Sequence, residues 1–367
     1  MTRHVEFAHR SKGHVDPPSR CHHERIHRGY AMTATVCQTR SGSIEMSFAR
    51  LARALVACAL IVGFAAQAQG WPAKPVRLVV GFPPGGLVDA VARQLQPRLQ
   101  DALGQTVIVD NRGGAGGTLA AVEVARAAPD GHTLLMVFDS YATYPLVYPT
   151  LGLDIARDLQ PVTQVVRNPL VLVVHPKVEA QDFPGLVRLL KAQPGRLNYA
   201  SVGPGSSNHL TAEYFKAVSG TFVTHIPYRG GGPARQDLLG GQVEMMFLST
   251  VLAQPYVNAG RLRALAQTGA QRVAAYAEVP TVAESGYPGF EVNSWVGLLA
   301  PAGTPRAVID RLQAEVRKIV TEPAFQQRLR EQGLAGIANT PEQFAAALRT
   351  EQDKWIRLVR ERRLSLE

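Results

Sequence analysis

One short stretch constrains this chain more than any other: Leu78-Val79-Val80-Gly81-Phe82-Pro83-Pro84-Gly85-Gly86-Leu87-Val88-Asp89. It reads as a buried strand, a tight turn, and a helix continuing to about Leu103. Two prolines stiffen the turn, and two glycines follow at the mouth of the helix. A helix start leaves its first N–H groups unpaired and carries partial positive charge, so it attracts anions. Glycines there leave the backbone open to a ligand. The turn is therefore a candidate carboxylate holder. The alternative is a plain strand-to-helix connector, because turn glycines are common.

The same punctuation recurs. Val107–Val109 reads as a strand, followed by the glycine-rich turn 110–117 and a helix from about Thr118 to Ala127. Thr133–Phe138 is a buried strand ending in the polar loop Asp139-Ser140-Tyr141-Ala142-Thr143. Later strands are read at Leu170–Val174, Leu197–Ser201, Phe222–Ile226, Val243–Phe247, Leu262–Ala266 and Trp295–Leu299, with helices between them. Thr304-Pro305 and Thr340-Pro341 each read as a capping threonine followed by proline at the first helical position, and Gln343 completes a capping box with Thr340. Such alternation predicts an α/β fold with open parallel or mixed sheets and helices on both faces. Ligands of such sheets bind at the carboxyl ends of strands. Loops 82–86, 139–143, 202–209 and 228–232 occupy that position, two early and two in mid-chain. This fits two α/β lobes facing one another across a cleft.

Composition removes competing functions. The chain has 367 residues and a formal charge of +10, but from Gln69 onward the count is 30 Lys/Arg against 25 Asp/Glu. No basic run is interleaved with aromatics, so nucleic acid is not an expected partner. All three cysteines (Cys21, Cys37, Cys58) precede residue 69, which leaves the remainder without a thiol nucleophile, thiolate metal site or disulfide. The G-x-G-x-x-G fingerprint fails, with Leu119 and Asn208 at the third-glycine positions, and no P-loop motif occurs. His132, His175, His209 and His225 lack metal-ligand spacing. Ser206, Ser207 and His209 raise a hydrolase alternative, but the G-x-S-x-G elbow is missing. A serine beside a histidine at a helix start is also ordinary capping chemistry. No cofactor or metal is expected.

The N-terminal region reads as an export signal. Met46–Arg53 is short and positive, Ala54–Ala66 is apolar, and Ala66-Gln67-Ala68 is a small-x-small cleavage site. The apolar run is shorter than the ~20 residues a bilayer span needs. Residues 1–45 are rich in Arg, His and Ser without apolar periodicity, and translation is expected to begin at Met46; the alternative is a disordered extension. Residues 46–68 are then a cleaved leader and the protein is expected in the periplasm.

The chain resembles the tripartite tricarboxylate transporter receptor (Bug) family of periplasmic substrate-binding proteins. The matching segments begin with Trp71-Pro72, Lys74-Pro75 and Phe82-Pro83-Pro84-Gly85-Gly86 with Asp89, and continue with Asn111–Gly117 and Pro129-Asp130-Gly131. They include Asn198-Tyr199-Ala200-Ser201, Gly205-Ser206 with His209-Leu210, Pro227-Tyr228, Asp237–Gln242, Pro280–Glu284, and Trp295 with Gly297 and Ala300-Pro301. The resemblance implies a two-lobed, type II Venus-flytrap fold with two crossover segments. Lobe one would be 71–169 plus 295–367, lobe two 170–294, with crossings near Pro169-Leu170 and Ser294-Trp295. It implies a monomeric, non-enzymatic receptor that captures a small organic acid and delivers it to integral-membrane transporter subunits. A sensor role feeding a signalling system is the alternative. The implied ligand shell is Phe82, Pro84, Gly85, Gly86, Ser140, Tyr141, Ser201, Gly203, Gly205, Ser206, Ser207, His209, Tyr228 and Gly230. Leu248 stands where family sequences often carry Asp, which argues against an amino-acid ligand whose ammonium would want an acceptor.

Overall fold

Ten strands carry the fold: β1 (Val76–Val80), β2 (Val107–Asn111), β3 (Thr133–Phe138), β4 (Leu159–Val174), β5 (Asn198–Ser201), β6 (Thr224–Pro227), β7 (Met245–Ser249), β8 (Arg263–Gln267), β9 (Asn293–Pro301) and β10 (Ala335–Gly336). They come from a computed structural model that describes residues 70–364 and Leu366. The expected 1–45 extension and 46–68 leader lie outside the described residues. Among the described residues no helix is long and apolar enough to cross a membrane.

The strand order is β2-β1-β3-β9-β4-β7-β5-β6, with β8 and β10 also pairing β4. β1 lies parallel between β2 and β3, and β9 runs antiparallel to β3. β4 joins the two halves. From Leu159 to Pro169 it pairs with β9, and from Leu170 to Val174 it pairs with β7 and β8. It therefore changes partners between Pro169 and Leu170. β5 lies parallel to both β6 and β7.

β4 is 16 residues long, three times the expected Leu170–Val174. Its first half mixes Gln160, Pro161, Thr163, Gln164, Arg167 and Asn168 with apolar residues, and bulges at Pro161/Thr163 and Gln164/Val166 break the two-residue alternation. Period-based reading loses such a strand. β6 and β7 each start two residues later than expected, and Phe222, read as strand, is 54% exposed.

Local stop and start signals are realised at several helix ends. Gly104 closes the Leu87–Leu103 helix in the left-handed region (φ 67°), donating its N–H to Gln100 O. Thr340 and Gln343 form the expected reciprocal capping box on the Pro341–Arg362 helix. The Arg306–Thr321 helix departs from expectation. Pro305 occupies the cap position, and the Thr304 hydroxyl donates instead to Pro301 O at 2.8 Å.

The long C-terminal helix touches both halves. Phe344 near its start packs with Trp295 and the β3 residues Leu135 and Val137. Trp355 further along joins the core around Phe183, Tyr199, Phe215 and Phe247. The helix thereby packs against both the β3–β9 part of the sheet and the core beside β5 and β7.

Candidate functional site

β1 is buried apart from Arg77, so the turn after it is delivered at a fixed place on the sheet edge. Gly81 sits at a close approach: a Cβ there would lie 3.1 Å from Gly117 Cα and 3.3 Å from Gly117 O, so that neighbour would have to give by a few tenths of an ångström. Gly85 has φ +84°, a conformation that favours glycine. Its N–H is not open to a ligand, as the sequence suggested; it donates to Asp89 Oδ2 at 2.9 Å. Asp89 also receives Arg93 Nε at 2.9 Å and Asn111 Nδ2 at 3.1 Å on Oδ1. Burial pushes this carboxyl up, but Arg93, the Gly85 N–H and Asn111 outweigh it and hold it below the usual aspartate range. The turn therefore carries an internal carboxylate that shapes it. Gly86 is the N-cap of the Leu87–Leu103 helix, and no side chain caps that helix.

Gly86, Leu87 and Val88 line a small cavity of about 20 Å³. Its other walls are Phe82, Phe138, Val202, Asn208, Gly231, Leu248, Ser249 and Leu252. None of these lining side chains is charged. Beside it lies a wider cleft of about 790 Å³, lined by Phe82–Pro84, Asn111, Gly113–Gly117, Leu119, Tyr148, Val202–Pro204 and Pro227–Arg229. Arg229 is the one charged side chain on this second wall.

The 228–232 loop seats directly on the turn. A Cβ at Gly230, whose φ is +132°, would meet Pro83 Cδ at 2.8 Å, and one at Gly232 would meet Pro84 O at 3.2 Å. Arg235 Nη1 donates to Gly85 O at 3.1 Å. Residues that precede and follow β4 in the chain thus meet at the cavity.

The expected shell residues divide by placement. Phe82, Pro84, Gly86, Gly203 and Tyr228 line the cavity or the cleft. Tyr228 OH donates to Asp237 Oδ2 at 2.7 Å, and burial together with that carboxylate pushes the phenol up to about 12. Ser140, 2% exposed, donates to Gly116 O at 3.3 Å. Tyr141 points into the core and donates to Ile155 O at 2.6 Å. Ser201 is fully buried, pairs with His225 Nε2 at 2.7 Å and accepts the Gly203 N–H at 3.1 Å. Gly205 O receives the Thr143 hydroxyl at 2.8 Å.

Part of the Ser206-Ser207-His209 group is held by structural bonds, while Ser207 Oγ and His209 Nε2 are buried without a hydrogen-bond partner. Ser206 caps the Ser207–Ser219 helix, its hydroxyl donating to Gly203 O at 2.6 Å. The Ser207 N–H donates to Asp139 Oδ1 at 3.1 Å, and Ser294 Oγ donates to Asp139 Oδ2. His209 is fully buried; its Nδ1 accepts the Gly205 N–H at 3.1 Å, and its ring stacks on His225 at 4.2 Å. Burial, followed by His225 and Lys216, lowers its titration to about 3, so the ring stays neutral. The Ser206 hydroxyl thus has no activating base in His209, which removes the geometry a hydrolase would need.

Sequence reading missed Asn208, Phe138, Gly231 and Leu252 as cavity walls. Phe138 ends a strand whose neighbouring loop was singled out, and Leu252 lies in the first turn of the Thr250–Asn258 helix that follows the strand carrying Leu248. Both signals were present but became interpretable only when loops from the two halves met. Among the described residues no cluster of His, Cys, Asp and Glu could hold a metal ion.

The family model for the tripartite tricarboxylate transporter family receptor matches residues 91–364. Similar solved structures include the periplasmic binding protein BugD, 34% identical, with a TM-score of 0.77 and coverage of 80% of this chain and 99% of that one. An R. palustris protein with adipate is 33% identical, TM-score 0.78, over 80% and 99% of the two chains. MatC from Rhodopseudomonas palustris, with bound malate, is 32% identical, TM-score 0.75, over 79% and 100%. These neighbours share the two-lobed periplasmic binding fold and are solute-binding proteins. This chain belongs to the tripartite tricarboxylate transporter receptor family, the Bug family of periplasmic binding proteins.

Proposed function

We propose that this chain is an exported receptor that captures a small organic acid between its two halves and delivers it to tripartite tricarboxylate-type membrane subunits. Export rests on the 46–68 leader read from the sequence. The observation that carries the reading is the uncapped start of the Leu87–Leu103 helix, opening at Gly86 into a mostly apolar cavity in which Asn208 and Ser249 are the polar side chains and none is charged. Backbone N–H groups and the helix dipole are the donors available to an anion there. Structures of relatives with adipate and malate support a carboxylate ligand. The lobes would be 71–169 plus 295–367 and 170–294, moving about the β4 and β9 crossings. The acid docks at Gly86, and the 228–232 loop closes over it. Of the implied shell, Phe82, Gly86, Gly203, Tyr228 and Gly230 are the residues this route uses.

The test is a thermal-shift screen against mono-, di- and tricarboxylates, aromatic acids, amino acids and neutral solutes. A ligand that binds the folded chain raises its melting temperature by mass action. A shift with acids supports the reading; shifts with neutral solutes alone refute it.

A further inference from the structure

Asp139 follows Phe138, and Ser207 precedes Asn208; Phe138 and Asn208 are both walls of the small cavity beside Gly86. The Ser207 N–H donates to Asp139 Oδ1 at 3.1 Å, and Thr143 Oγ1 donates to Gly205 O at 2.8 Å. These two bonds join the loop after β3 to the start of the Ser207–Ser219 helix, and Asp139 is buried there. Among the described residues no Lys or Arg pairs with it, and its other partner is the Ser294 hydroxyl. The elements around it supply no positive charge. β3, β9 and the 115–117 turn carry no ionisable side chain. Glu351 on the C-terminal helix repels it; Glu351 accepts Trp355 Nε1 at 2.7 Å, and burial outweighs Lys354 and Arg167 to hold its own carboxyl up. Tyr144 and His209 stay neutral, chiefly through burial, and Glu213 and Lys216 further along the Ser207–Ser219 helix pair with each other. A carboxyl enclosed by neutral donors and a second carboxyl is more stable as the acid. Once the two segments part, water reaches it and it ionises as an ordinary aspartate. An anion captured at the neighbouring Gly86 turn adds repulsion and favours the acid further.

Resting on the reading of an organic acid captured between two halves, we infer that a proton is a co-ligand of this receptor: Asp139 takes one up from water as the 139–143 and 205–208 segments close on each other, and returns it to water on release. Capture and protonation are then linked. Acidity tightens binding of the organic acid, and binding of the organic acid draws a proton onto Asp139.

The experiment is titration calorimetry on wild type and Asp139→Asn at pH 6 and pH 8.5, each in two buffers of different ionisation enthalpy. The probe is adipate, or whichever acid of the thermal-shift screen binds tighter. The difference in heat between buffers counts protons, and subtracting the variant removes titration of the probe itself. With the enclosed carboxyl titrating at about 7, wild type should take up about one proton more than Asp139→Asn at pH 6 and none more at pH 8.5. Its affinity relative to the variant should be about tenfold higher at pH 6 than at pH 8.5. Should Asp139→Asn fail to fold, Ser294→Ala decides. It removes a hydrogen bond that pulls the carboxyl down, so proton uptake should persist to higher pH than in wild type; an unchanged range overturns the inference. Equal proton uptake in wild type and Asp139→Asn at pH 6 also overturns it, while leaving acid binding in place. If no acid binds, the receptor reading falls and the inference falls with it.

Discussion

Replacing Asp139 by asparagine should stabilise the protein at pH 8 and leave it unchanged near pH 4. The carboxyl sits just after β3 and is 4% exposed. Burial is the largest influence and pushes it from 3.8 up to about 7; hydrogen bonds from Ser294 and Ser207 pull it down, and Glu351 adds repulsion. In the unfolded chain it ionises near its ordinary value of about 3.9. Between those limits the folded chain holds a proton that the unfolded chain has lost. The stability contributed by Asp139 is therefore complete below about pH 4 and falls away as the pH rises to about 7. At about 1.36 kcal/mol per pH unit the loss totals about 4 kcal/mol. Asparagine keeps the shape and accepting oxygen of the protonated acid and does not titrate. His209 slopes the other way: held down to about 3, it contributes stability that is present above 6.5 and lost as the pH falls towards 3. The two slopes oppose each other between roughly pH 4 and 6.5, so the wild type alone is a poor readout. The difference between wild type and Asp139→Asn cancels His209. Urea unfolding of both proteins at four pH values from 4 to 8 measures it. The variant's advantage should grow from near zero to about 4 kcal/mol and level off above pH 7. A variant less stable than wild type at pH 8, or an advantage independent of pH, would refute the reasoning.

Two further substitutions test the site and the packing beneath it. Gly86 has φ −85°, and a Cβ there finds nothing closer than Pro83 O at 3.8 Å, so Gly86→Val should fold with a near-wild-type melting temperature. Its methyl groups enter the small cavity, and affinity for the best acid of the screen should fall at least about tenfold, the equivalent of about 1.4 kcal/mol; unchanged affinity refutes the role of the turn. Gly297→Ala places a Cβ 2.3 Å from Phe344 Cζ and 3.2 Å from Trp295 Cζ3. Overpacking of this kind costs about 1–3 kcal/mol, measurable by urea unfolding, and an unaltered midpoint would show that the C-terminal helix gives way freely.

What the sequence determined by itself is local. Pro83-Pro84-Gly85-Gly86 marks a strand-to-helix turn, Gly104 ends its helix, and Thr340 with Gln343 starts another, because these effects act through φ and hydrogen bonds within four or five residues. The ordered motifs also sufficed to place the chain in its family. The site required the folded chain. Gly85 looked like an open donor until Asp89 proved to hold its N–H, and the bonds of Ser206 to Gly203 O and of the Gly205 N–H to His209 Nδ1 are visible only in the fold. Asp139 gains its character from Ser207 and Ser294, which lie 68 and 155 residues away in sequence. Asn208 and Gly86, 122 residues apart in the chain, line one cavity only in the folded protein. Desolvation and hydrogen-bond pairing depend on neighbours in space, and no periodicity along the chain encodes those neighbours.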